Sequence, residues 1–109
     1  MKQSVILLVL ALAALLEAGG DALVRTGMHS KAAASRFLFF VAGAAVLFLY
    51  GWTVNRPPWD FGRLLGLYVV FFFVIAQLIS WLVFHQRPGG AVLIGGVFIA
   101  VGGLIIFRG

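Results

Sequence analysis

The sequence predicts an all-helical membrane protein with four transmembrane helices, and three observations carry that prediction. First, 63% of its 109 residues are apolar, against roughly 45–50% in a soluble domain. Second, only 10% are charged, too few to cover the surface of a soluble enzyme. Third, the apolar residues gather into four runs, at 5–24, 37–54, 64–84 and 91–107, separated by short polar breaks. A hydrocarbon core roughly 30 Å thick needs about 20 apolar residues in a helix, which each run approaches or meets. The whole chain, 1–109, is then one four-helix transmembrane domain.

The first run ends at Arg25-Thr26-Gly27 by this reading. The second ends at Asn55-Arg56-Pro57-Pro58, where two prolines cannot continue a helix. The third stops before His85-Gln86-Arg87-Pro88-Gly89-Gly90, a turn-forming cluster, and the fourth closes before Arg108. Strands of the barrel type would alternate apolar with polar residues, whereas 69–76 is unbroken Val, Phe, Ile and Ala. Lys2 followed by an apolar run resembles a signal peptide, but Glu17 and Asp21 follow that run closely.

The net charge of +5 forms no basic face, because the charges sit singly between apolar runs, so no nucleic-acid partner is expected. There is no cysteine, which removes disulfides and thiol ligands; neither a metal nor a cofactor is expected. Four helices put both termini and the second loop on one side, with Lys2, Arg56, Arg63 and Arg108. Arg25, Lys31, Arg36 and Arg87 fall on the other. Orientation follows an excess of Lys and Arg on the cytoplasmic side. Here the tally is even, so insertion both ways and an antiparallel homodimer are expected in the inner membrane. The chain has one repeat's worth of helices where many transporters use two inverted repeats. The alternative is that helix hydrophobicity and lipid fix a single orientation.

Glu17 lies deep in the first run, where a bare charge costs about 2.5–3.5 kcal/mol. A proton or a cation must neutralise it, and one group that can hold either is the minimum equipment of an exchanger. The structural alternative is a protonated glutamate bonded to a neighbouring helix. Asp21 follows at i+4, about 40° round the helix, and is a second proton- or substrate-binding candidate. An i,i+4 ion pair from Asp21 to Arg25 is an equal alternative. Ala13, Ala14 and Gly20 flank the pair, permitting either close packing or a cavity.

Aromatic rings can supply the rest of a cation site. Tyr68, with Phe72 and Ile75 on the same face, is one candidate; Tyr50 and Trp52 near the end of the second helix are others. The alternative for these rings, and for Trp59, is an interfacial belt. Gln77 shares a side with Gly62 and Gly66 and is expected to bond across a helix contact, as is Ser80. Gly95-Gly96 and Gly102-Gly103, one heptad apart, are expected to let the fourth helix pack closely, within the chain or at a dimer contact. His29 and His85 fall in loops with no partner constellation, so an enzyme is not expected.

Several of these pieces together resemble a known family. They are Leu16-Glu17-Ala18-Gly19-Gly20, Leu49-Tyr50-Gly51-Trp52, Phe61-Gly62-Arg63, Tyr68, the 79–87 stretch with Arg87-Pro88, and the glycine-rich last helix. Their order is similar to that of the small multidrug resistance transporters, and closer still to the YnfA-type branch. The resemblance spans nearly the whole chain. It implies a four-helix antiparallel homodimer exchanging protons for small cationic or lipophilic compounds, with the family's membrane glutamate at Glu17 and a site aromatic at Tyr68. Two departures stand out. Asp21 replaces an uncharged residue of the branch, and Val69-Val70 replaces a glycine pair, which bears on helix bend and pocket volume. A passive dual-topology channel and a non-transporting subunit of a larger complex are the competing expectations. A channel would want a polar stripe along one helix, which no segment carries.

Overall fold

The structure, a computed structural model, describes residues 1–109. It contains four α-helices and no strand: α1 (Gln3–Met28), α2 (Ala33–Val54), α3 (Phe61–Leu82) and α4 (Gly90–Arg108). All four are long and apolar enough to cross a membrane. Each hydrogen-bonds its own backbone, as a segment in lipid must.

The helices lie side by side in the order α2, α1, α3, α4. The most extensive packing is α1 on α2, followed by α1 on α3 and α3 on α4. The core sits between α1 and α3, where Ile6, Leu10, Ala13 and Ala14 meet Leu64, Leu67 and Tyr68, with Val54 at the edge. The α1 residues recur at three- and four-residue spacing, which brings them onto one face. Only 14 of 109 residues are buried, so one copy encloses very little. Its outward faces, from Leu8 and Leu12 to Phe48 and Phe98, remain apolar and suit lipid rather than water.

All but one of the helix ends differ by one to four residues from the sequence expectation, and three of the shifts have a visible cause. The first helix does not end at Arg25-Thr26-Gly27 but runs to Met28. Thr26 Oγ1 donates to the Ala22 carbonyl at 2.8 Å within the helix, and Gly27 is buried against Phe39 and Phe40. That glycine serves packing, not termination. The second helix starts at Ala33, because its first turn lies outside the apolar run. The third ends at Leu82, leaving Phe84 in the connection. There Gln86 N–H donates to Ser80 O at 2.9 Å, Ser80 Oγ donates to Gln86 O at 3.2 Å, and His85 adopts a left-handed φ of 57°. Ser80 therefore fastens a loop, not a helix contact. Gln77, half-buried, makes no hydrogen bond to another helix.

The six glycines expected at helix contacts divide. A Cβ on Gly66 would meet Ile106, one on Gly96 would meet Phe73, and one on Gly103 would collide with Val70, so these three face the α3–α4 contact. Gly62, Gly95 and Gly102 have open space around them in a single copy. Val70 is β-branched and stiff, so it cannot swing clear as the ring of Phe73 can. Gly103→Ala is accordingly expected to destabilise by about 1–3 kcal/mol. Gly102→Ala meets nothing within one copy and should leave the α3–α4 contact undisturbed. Thermal unfolding of both variants in detergent checks the contrast.

In the sequence Arg63 is a charge and part of a motif. In the fold it joins the start of α3 to the end of α4, donating to the carbonyls of Ile106 at 3.4 Å and Phe107 at 3.1 Å. Its guanidinium also lies 4.1 Å from the ring centre of Trp59, which packs on Phe107. A cation at a helix C-terminus satisfies carbonyls that have no partner within the helix.

Candidate functional site

Glu17 sits a little past the middle of α1, on the side turned toward α3. Below it the α1 face is Leu10, Ala13 and Ala14, all fully buried, and these small or compact residues let α3 approach. Tyr68, buried one turn above Leu64 on α3, reaches across that contact. Its hydroxyl donates a hydrogen bond to Glu17 Oε1 at 2.9 Å. A bond between a hydroxyl and a charged carboxylate is among the stronger kinds.

Two further rings extend the wall. Tyr50, from the last turns of α2, lies with its ring centre 5.6 Å from that of Tyr68. Phe72, one turn along α3, lies 6.3 Å from Tyr68. Three helices thus bring one carboxylate and three aromatic rings together, which is the donor set for an organic cation: a charge to pair with and π faces to lie against. Tyr68→Phe keeps the ring contacts and removes only the hydroxyl. It is expected to lower stability by about 1.5 kcal/mol, read as the unfolding midpoint in detergent.

Trp52, expected among the cavity aromatics, does not line this site. It is 62% exposed and faces outward beside Leu47, Phe48 and Gly51. Two residues along a helix is a rotation of about 200°, so Tyr50 and Trp52 cannot face one cavity.

Asp21 is not packed in the Glu17–Tyr68 contact. It lines a separate cavity of about 250 Å³ between α1 and α3, together with Arg25, Phe72, Ser80, Phe84 and Gln86. The i,i+4 ion pair to Arg25 is not formed; the Arg25 guanidinium lies over the Phe84 ring instead, 5.4 Å from its centre. A wider cavity of about 420 Å³ adjoins it at the loop end, shared through Arg25, Phe84 and Gln86 and also lined by His29 and Ser30. Phe72 belongs both to the ring cluster around Glu17 and to the Asp21 cavity. Sequence reasoning missed Arg25, Phe84 and Gln86 as cavity residues. For Arg25 a signal existed, since it lies four residues after Asp21, about 40° round the helix.

Gly20, which flanks the carboxylates, serves close packing and not a cavity: a Cβ there would meet Leu47 at 2.8 Å. Directly opposite, Gly43 of α2 approaches the Gly20 carbonyl and Val24.

Two proteins are similar to this chain over nearly their whole length. A UPF0060 membrane protein of Herpetosiphon aurantiacus is 35% identical over 98 residues, covering 87% of this chain and 86% of the relative. A UPF0060 membrane protein of Clostridium beijerinckii is 32% identical over 97 residues, covering 87% and 85%. No family model matches the chain, and no solved structure matches it. With four spanning helices and these relatives, the chain belongs to the UPF0060 family of membrane proteins, the YnfA family, and is a multi-pass protein of the inner membrane.

Proposed function

We propose that this protein is a proton-coupled antiporter that exports small cationic or lipophilic compounds, with Glu17 binding proton and substrate in turn. The observation that carries this reading is the Glu17–Tyr68 hydrogen bond at 2.9 Å, set among the rings of Tyr50 and Phe72 within the spanning region. A carboxylate in that setting needs a partner for its charge. A proton and an organic cation are alternative partners, and two ligands that exclude each other at one group are thereby exchanged. The resemblance to the small multidrug resistance transporters supports the same assignment. No catalytic role is proposed for any residue.

The working unit proposed is an antiparallel homodimer in the bilayer. Four helices in a row enclose no pathway, and the even division of Lys and Arg between the two sides favours neither orientation. A second copy inserted the other way would supply the missing wall. The α4 face bearing Gly95 and Gly102, with space for close approach, suits that contact.

The test is proton release from purified protein in weakly buffered detergent, on adding a panel of lipophilic and guanidinium-type cations. Release that saturates with cation concentration is the expected result. Silence across the panel overturns the antiporter reading. Currents through reconstituted protein without coupled proton movement would replace it with the channel.

A further inference from the structure

We infer that the cavity beyond Glu17, between Asp21 and Arg25, is a binding site for zwitterions: small molecules that carry an aliphatic ammonium and a carboxylate a few carbons apart. Asp21 and Arg25 stand at i and i+4, the spacing at which opposite charges on a helix usually pair. They do not pair here. The guanidinium rests on the Phe84 ring, and both side chains line the same cavity of about 250 Å³. An exposed i,i+4 pair gains only about 0.2–0.5 kcal/mol, so the ring contact competes with it easily. The carboxylate and the guanidinium thus each keep capacity for a partner arriving from the cavity.

The two charges select by what they reject. A simple cation would pair with Asp21 and be repelled by Arg25, and a simple anion would suffer the reverse. A molecule with both charges satisfies both. The offset along the helix is about 6 Å for four residues, which a three-carbon spacer spans. Phe72 in the lining offers a ring face to an alkylated ammonium, Phe84 carries the Arg25 guanidinium, and Gln86 and Ser80 add polar atoms. Entry is from water: the adjoining cavity of about 420 Å³ opens among His29 and Ser30 at the loop end. The site stands whether or not Glu17 exchanges protons, because Glu17 does not line it.

The test is titration calorimetry in a maltoside detergent with γ-trimethylammonium butyrate and its methyl ester, which keeps the cation and removes the anion. Both ligands are titrated into Glu17→Gln, where the ester has no carboxylate at position 17 to pair with, and the acid is expected to bind at least about tenfold tighter. Arg25→Gln on that background should lose the preference, because Arg25 meets the group that the ester lacks. Asp21→Asn should weaken both ligands and leave their ratio, because both carry the ammonium. Arg25→Lys, which retains the charge, should hold most of the preference and guards against an effect of misfolding. Equal binding of acid and ester, or binding of neither, overturns the inference. So does a preference that survives Arg25→Gln, or acid binding that Asp21→Asn leaves unchanged. Failure of proton release in the antiport assay leaves this result untouched, so the two readings fail separately.

Discussion

Glu17→Gln is expected to abolish cation-evoked proton release and to reduce pH-gradient-driven uptake in vesicles to the level of empty ones. Glutamine has nearly the same shape, and its side-chain carbonyl can still accept the Tyr68 hydroxyl, which reaches Glu17 at 2.9 Å. The fold is therefore expected to survive. What is lost is a group that can carry either a proton or a negative charge. Glu17→Asp makes a finer test: charge is retained, but the carboxylate withdraws by one methylene from Tyr68. A hydrogen bond to a charged group is worth about 1.5–3 kcal/mol, so the unfolding midpoint should fall as in Tyr68→Phe, while cation-evoked proton release persists because the carboxylate remains. In wild type, protons and cation compete for one carboxylate. Apparent affinity should weaken as pH falls through the titration of that group, by up to about tenfold per pH unit. Release that persists in Glu17→Gln would move exchange to Asp21 and end the proposal as stated.

Gly43→Leu is expected to be the most damaging substitution for the fold. A Cβ at this position would lie 2.7 Å from Val24 Cγ2, 3.2 Å from the Gly20 carbonyl oxygen and 3.3 Å from the Val24 nitrogen. Two of those three atoms are backbone, so no side-chain rotation relieves the clash; α1 and α2 must separate. Overpacking of this kind costs typically 1–3 kcal/mol, and a leucine at a backbone crossing belongs at or above the top of that range. The unfolding midpoint in detergent should drop sharply. Gly51→Leu, eight residues along the same helix but with nothing within 4 Å, is the matched control and should leave the midpoint nearly unchanged. Equal behaviour of the two variants would refute the close α1–α2 crossing.

The four helices were readable in the sequence because a bilayer imposes a length, and four runs meet it. Their ends were not, because helices continue past the apolar region: Thr26 and Gly27 looked like a stop and proved to be the last turn of α1. Glu17 was readable from depth alone. Its partner was not, since Tyr68 is 51 residues away and periodicity fixes which face a residue occupies, not which helix that face meets. That Trp52 does not share a face with Tyr50 could have been read, because two residues along is the opposite side of a helix. The division of the α4 glycines could not. Gly95 with Gly102 and Gly96 with Gly103 have identical spacing, and only the position of α3 distinguishes the pair that meets Phe73 and Val70.

Arg63 has a mechanical consequence. The hairpin of α3 and α4 is joined covalently at one end by residues 83–89 and non-covalently at the other by two hydrogen bonds from a single guanidinium. A hairpin closed at both ends resists splaying more than one closed at its turn alone. The α1–α3 seam has no such double closure, and one side-chain hydrogen bond, the one held by Glu17, crosses it. Whatever neutralises Glu17 therefore bears on the one side-chain hydrogen bond that ties this doubly closed hairpin to α1.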